Sequence, residues 1–136
     1  MRHKKNDKKL GRTTAHRKAT VSALVCGLIA EKRIKTTVSK AKVAKRAADR
    51  MVTLARKGTL AARRQAVATL NNKDRVGELF ENIAPGLSGR QGGYTRIVKL
   101  GRRSSDGSEM ALLEWVDIAV PDKKKKKQPV EEDQKG

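Results

Sequence analysis

At 136 residues the chain suits one domain with room for tails, and its single cysteine, Cys26, excludes an internal disulfide. Thirty-three Lys and Arg stand against 14 Asp and Glu, a formal net charge of +19. Self-repulsion on that scale disfavours a compact state unless a polyanion is bound, so nucleic acid is the first partner to consider and a membrane surface the second. The longest central uncharged run is the twelve residues Ala19 to Ala30, short of the about 18 that a spanning helix needs. The cationic start has no apolar stretch in signal position and no small-residue cleavage pattern after it, so the chain reads as cytosolic and unprocessed.

Residues 1–12 read as a basic arm: Arg2, Lys4, Lys5, Lys8, Lys9 and Arg12 face a single acid, Asp7, and such a segment is expected to be disordered in isolation. A first helix is predicted from Thr13 or Thr14 to about Lys32. Val21, Leu24, Val25, Leu28 and Ile29 share one of its faces, and its uncharged middle predicts that it is the central buried helix. Arg33 to Val38 is β-prone. Ser39 is the expected N-cap of a second helix, in which Ala44, Ala47, Ala48, Met51 and Ala55 form a small-residue face and Gly58 ends the run. A third helix spans about Thr59 to Leu70. A fourth starts near Asn72, carries Val76, Leu79, Phe80 and Ile83 at helical spacing, and should stop at Pro85.

Residues 86–93 contain four glycines and read as a loop. Tyr94 to Leu100 and Met110 to Ala119 read as strands joined by a turn over Gly101 to Ser108. The fold class is therefore α+β, with helices on one face of a small sheet. A globular region of 13–120 is flanked by the arm and by a low-complexity tail, 121–136, with five lysines from Lys123 to Lys127 and then Glu131, Glu132 and Asp133.

Catalysis finds no support. His3, His16 and Cys26 do not make a zinc set, no acid pair stands in an apolar setting, and no phosphate-binding or nucleophile motif is present. Cys26 is expected to be a buried, inert thiol, and Phe80 and Trp115 core residues. The helix starts say more. The turn after Thr13 holds His16, Arg17 and Lys18, and the turn after Ser39 holds Lys40 and Lys42, with Lys45 and Arg46 beyond and no acid in either. Cations at the positive end of a helix are unfavourable by roughly 0.3–1 kcal/mol each, and docked phosphates would resolve the conflict. In the Gly-rich segment, Gly92 and Gly93 would let backbone approach a phosphate, Arg90 and Arg96 would flank it, and Tyr94 would be free to stack on a base or sugar. Scarce aromatics point to recognition of folded RNA by backbone and shape.

Several motifs occur together in order. Met1-Arg-His-Lys-Lys leads to Lys9-Leu-Gly-Arg-Thr13 and His16-Arg17-Lys18. Ile34-Lys-Thr-Thr37 and Lys40-Ala-Lys42 follow, then Arg90-Gln-Gly-Gly-Tyr-Thr-Arg-Ile97. Over about residues 1–119 the chain resembles the bacterial large-subunit ribosomal protein L-seventeen family. The resemblance implies a two-layer fold in the order α-β-α-α-α-β-β, about four helices on a three-stranded sheet. It also implies binding to large-subunit ribosomal RNA near the exit of the peptide tunnel, beside neighbouring ribosomal proteins, with no known catalytic role; from the residues themselves no cofactor and no metal are expected. The expected RNA-contacting residues are Arg2, His3, Lys4, Lys5, Lys8, Lys9, Arg12, Thr13, His16, Arg17, Lys18, Lys35, Lys40, Lys42, Arg90, Gly92, Gly93, Tyr94, Thr95 and Arg96. The lysine-rich tail is outside the shared pattern. The rival binding reading is a nucleoid-type DNA protein, for which no recognition-helix pattern is found. The rival enzyme reading, RNA modification or cleavage, lacks an acid–base constellation.

Overall fold

The computed structural model describes residues 13–118. Helix α1 (Thr14–Glu31) starts from the extended backbone of Thr13, whose hydroxyl accepts from the His16 N–H. It ends on Lys32 at φ 67, a left-handed conformation that costs a non-glycine residue about 1–2 kcal/mol. Local bonds offset that cost: the Lys32 N–H donates to the Leu28 carbonyl at 2.9 Å, and its Nζ donates to the Ile29 carbonyl and to Glu78, both at 2.7 Å. The turn delivers the chain into strand β1 (Arg33–Thr37), and helix α2 (Val38–Lys57) follows without a loop. The cap of α2 is Thr37, not Ser39. The strand ends in the extended conformation that an N-cap needs, so Thr37 accepts from the Lys40 N–H and Ser39 already lies inside the first turn. Gly58, at φ 63, closes α2 as expected.

Helix α3 (Leu60–Leu70) is capped by Thr59, and α4 (Lys73–Glu78) by Asn72. The expected stop at Pro85 is displaced. The helix runs on through a π-helical turn, Leu79–Ile83, into a last turn, Ala84–Gly86, that contains Pro85. Proline has no N–H to give and its ring crowds the preceding turn. The widened turn ahead of it, in which the Ala84 N–H donates to the Leu79 carbonyl five residues back, absorbs the misfit.

Strands β2 (Thr95–Arg102) and β3 (Glu109–Trp115) form an antiparallel hairpin, and β1 pairs antiparallel with the free edge of β3, giving the order β1-β3-β2. Both strands differ from their expected bounds. β3 ends at Trp115, one residue past Glu114, the partner of Arg33 at the start of β1. β2 runs to Arg102 because a bulge carries it on: Lys99 opposes Ala111 and Gly101 opposes Met110, leaving Leu100 as the extra residue.

The helices cover one sheet face, where Ala111, Leu113 and Trp115 are buried and the Trp115 indole donates to the Leu28 carbonyl at 3.1 Å. Arg33, Lys35, Arg96 and Val98 are exposed on the other strand positions. The expectation that α1 is the central helix is corrected. Its fully buried positions are Val25, Leu28 and Ile29, whereas α2 buries Val38, Ala41, Ala44, Ala48, Met51, Val52 and Ala55. The short alanine side chains let α1, α3, the π-helical turn and all three strands close on α2 together. The apolar stretch of α1 is instead shared between core and surface.

Candidate nucleic-acid interface

Three of the helix starts have the same chemistry. Thr13, Thr37 and Thr59 each satisfy one first-turn N–H, of His16, Lys40 and Ala62 respectively, and α1, α2 and α3 carry no acid in their first turns. Helix α4 is the contrast, with Asp74 in its first turn. His16, Lys18 and Lys42 are exposed, and Arg17 and Lys40 are half-buried. Lys35 is exposed on β1, two residues before the α2 cap. The third start was not anticipated. There Arg63 and Arg64 are exposed beside Leu60, and the Arg63 guanidinium lies 4.8 Å from the centroid of the Phe80 ring.

The Gly-rich segment is more built than a flexible turn. Tyr94, expected to be free for stacking on RNA, is 4% exposed, and its hydroxyl accepts from Arg56 at 2.6 Å. Its ring belongs to the core and cannot receive a base. Thr95 is buried too: its hydroxyl donates to Asp49 at 3.0 Å, and its carbonyl accepts from Lys45 Nζ at 3.0 Å. Both residues anchor the loop to α2 and are not surface groups. Gly92 (φ 144) and Gly93 (φ 59) are exposed, and a Cβ at either would meet nothing within 4 Å. Backbone conformation, not crowding, calls for glycine there.

Arg90 and Arg96, expected to flank a phosphate, keep 41% and 54% of their side chains exposed. Each is also engaged by a carboxylate that the end of β3 brings alongside. Arg90 Nε donates to Asp117 at 2.6 Å, and Arg96 Nε donates to Glu114 at 2.5 Å. Arg33 reaches the other oxygen of Glu114 at 2.6 Å. Burial pushes the Glu114 carboxyl up, but the hydrogen bonds from Arg96 and Arg33 outweigh it and leave it below its ordinary value. The Arg90 bond holds Asp117 low and raises Arg90 in turn. With two cations against one carboxylate, the Arg33–Glu114–Arg96 row keeps a net positive charge.

The two predicted groups do not form one site. At 1.5 Å of rise per residue, Lys40 and Arg56 lie about 24 Å apart along α2, and the loop is tied to the Arg56 end. What joins them is the outward side of α2, where Lys42, Arg46, Arg50 and Lys57 are exposed, while Asp49 is occupied by Lys45 and Thr95. That stripe is the face opposite the alanines, so its signal was present in the periodicity. Arg2, His3, Lys4, Lys5, Lys8, Lys9 and Arg12 lie outside the described residues, as does the tail.

Cys26 is half-buried, not fully buried, with its sulfur 3.8 Å from the Leu70 carbonyl, and burial pushes its thiol up. Among the described residues no group of three or more His, Cys, Asp or Glu could hold a metal ion, and no helix is long and apolar enough to cross a membrane.

Comparison with known proteins adds a family to this geometry. A family model described as ribosomal protein L17 matches residues 20–116. A relative from Methylacidiphilum infernorum is 50% identical over 131 residues, covering 96% of this chain and 100% of its own length. One from Finegoldia magna is 49% identical over 128 residues, 94% and 98% of the two chains. One from Chlorobaculum parvum is 50% identical over 119 residues, 88% and 77%. Each of the three is named large ribosomal subunit protein bL17.

Proposed function

Since this chain belongs to the ribosomal protein L17 family, we propose that it is a structural, non-catalytic constituent of the bacterial large ribosomal subunit. In this reading it works in cytoplasmic ribosomes, binds large-subunit ribosomal RNA close to the exit of the peptide tunnel, and sits against neighbouring ribosomal proteins. The location near the exit follows from the family resemblance. The protein's own surface supports the mode of binding.

The observation that carries the reading is the set of three helix starts, capped by threonine and lacking acids in their first turns, with the basic outward side of α2 running from one of them. Uncommitted N–H groups and cations at one helix end attract phosphate oxygens. Phosphate contacts of this kind set register and orientation without reading sequence. The basic residues of the segment 1–12 add further contacts. Arg90 and Arg96 join by exchanging a carboxylate for a phosphate, and the Gly92–Gly93 backbone allows close approach. Folding of the domain around α2 fixes the spacing of these groups, so the fold supplies geometry and the surface supplies charge neutralisation.

Sedimentation of cell lysate through a sucrose gradient tests this directly. Co-migration with large subunits is expected, while a protein found mainly free or on chromosomal DNA would sink the proposal. Competition with duplex DNA separates the nucleoid reading. If about 6–10 phosphates are contacted, affinity for a ribosomal RNA transcript should fall about 10³–10⁵-fold between about 50 and 200 mM salt. A nearly flat response would show that charge is not the main source of binding.

A further inference from the structure

The C-terminal end of α2 and the Gly-rich loop meet at one side chain that the sequence did not single out. Arg56 Nη1 donates to the Arg90 carbonyl and, at 2.6 Å, to the Tyr94 hydroxyl, while Nη2 donates to the Ser88 carbonyl at 3.3 Å. The guanidinium carbon stands 5.8 Å from the centroid of the Tyr94 ring. One planar group thus collects three acceptors spread over residues 88–94. Both Nη1 hydrogens and one on Nη2 are committed to the loop, so three of the five guanidinium donors of this exposed side chain serve the loop's own backbone and Tyr94.

The loop needs such a tie. Residues 86–93 include four glycines, and glycine loses more conformational freedom on ordering than any other residue. Apart from Leu87, which is buried, the segment from Ser88 to Gly93 is exposed or half-buried and has little apolar packing to hold it. Its short-range backbone bonds, Ser88 N–H to the Pro85 carbonyl at 3.4 Å and Arg90 N–H to the Leu87 carbonyl at 3.0 Å, shape only the first half. A segment ordered before its partner arrives does not charge its ordering entropy to the binding step.

We infer that Arg56 is the positioning residue of the Gly-rich loop, holding Ser88 to Tyr94 in one geometry in the free protein so that Arg90 and the Gly92–Gly93 backbone meet RNA already ordered. Arg56 acts on RNA through the loop and not by touching it. The functional half rests on the proposal that the loop is an RNA contact, whereas the ordering role rests on the contacts of Arg56, which span the segment between the Arg90–Asp117 pair and the Thr95 anchor. Lysine would keep the charge, but a single ammonium on a flexible stem does not reproduce a planar fork across three acceptors.

The test compares wild type, Arg56→Ala, Arg56→Lys, Arg90→Ala and the Arg56→Ala/Arg90→Ala double variant in the full chain. Amide hydrogen exchange of residues 88–94 is measured in the free protein, and affinity is measured for a full-length large-subunit ribosomal RNA transcript. Both Arg56 variants should speed loop exchange by about tenfold or more while exchange in the core of α2 is unchanged. Arg56→Ala should weaken RNA binding severalfold when Arg90 is present and by less than about twofold when Arg90 is already alanine. Unchanged loop exchange would overturn the positioning role. Full recovery of loop protection and affinity in Arg56→Lys, or strict additivity in the double variant, would show that Arg56 acts as a charge of its own and would also overturn it. Fast loop exchange in Arg56→Ala, with Arg90→Ala binding RNA as tightly as wild type, would uphold the ordering role and remove the loop from the RNA interface.

Discussion

Lys40 sits where stability and RNA binding should pull in opposite directions, and Lys40→Glu separates them. Lys40 is the third residue after the cap Thr37, whose hydroxyl accepts from its N–H at 3.4 Å. A glutamate at that position, three after a threonine cap, completes a capping box in which the new carboxylate reaches back to the Thr37 N–H. Removing a cation from the positive helix end and placing an anion there each contribute roughly 0.3–1 kcal/mol. Taking each charge effect at the salt-screened low end, about 0.3 kcal/mol, and about 0.5 kcal/mol for the added capping bond gives a gain of about 1 kcal/mol. For a domain of this size that corresponds to a rise of about 4–8 °C in melting temperature, measured on the free protein by circular dichroism. The same change should weaken binding to a ribosomal RNA transcript and make the slope of log affinity against log salt shallower by about one unit, for one lost phosphate contact. A fall in melting temperature would mean that the Lys40 ammonium supports the fold. Unchanged affinity and slope would remove the α2 start from the RNA interface.

Glu114→Gln should destabilise the free protein by about 2 kcal/mol at neutral pH, because two charge-assisted hydrogen bonds across the sheet are weakened, a figure kept low because the Arg33 and Arg96 side chains are 43% and 54% exposed. The folded Glu114 carboxyl lies below its ordinary value of 4.5. Its stabilisation is therefore complete above that ordinary value and is lost as pH falls through the lowered folded one. The variant should flatten the acid side of a urea-derived stability curve there, and an unaltered acid limb would contradict the cross-strand assignment. Cys26→Ala should cost about 1 kcal/mol in urea denaturation and leave RNA affinity unchanged. The thiol, pushed up by burial, should alkylate more slowly at neutral pH than a small free thiol, and equal rates would count against its half-buried placement. Trp115→Phe should cost about 2–3 kcal/mol by calorimetry, from the lost bond to the Leu28 carbonyl and from lost packing. A cost below about 0.5 kcal/mol would mean that the α1–β3 junction does not depend on it.

Much of this protein is written in interactions between near neighbours, and for those the sequence sufficed. The +19 charge, the period of the apolar residues, Gly58 after α2, Asp74 in the first turn of α4 and the cations in the first turns of α1 and α2 are local quantities. They located four helices and the hairpin to within a few residues and indicated a polyanionic partner. The Thr37 cap missed by two residues because helix α2 begins straight from the strand, and where β1 stops is set by its pairing with β3. What no local rule contains is which surfaces end up facing one another. That α2 and not α1 became the centre depended on several elements closing together on an alanine face. The partners of Arg96 and Arg90 lie 18 and 27 residues away, and Arg56 reaches Tyr94 across 38. Tyr94 and Thr95 looked like surface groups beside flexible glycines until chain closure placed Arg56, Asp49 and Lys45 against them. Composition sets how strongly this chain attracts a polyanion, but the exposure of each side chain is a property of pairs distant in sequence, and only the folded arrangement of α2, the loop and β3 decides which cations remain to meet it.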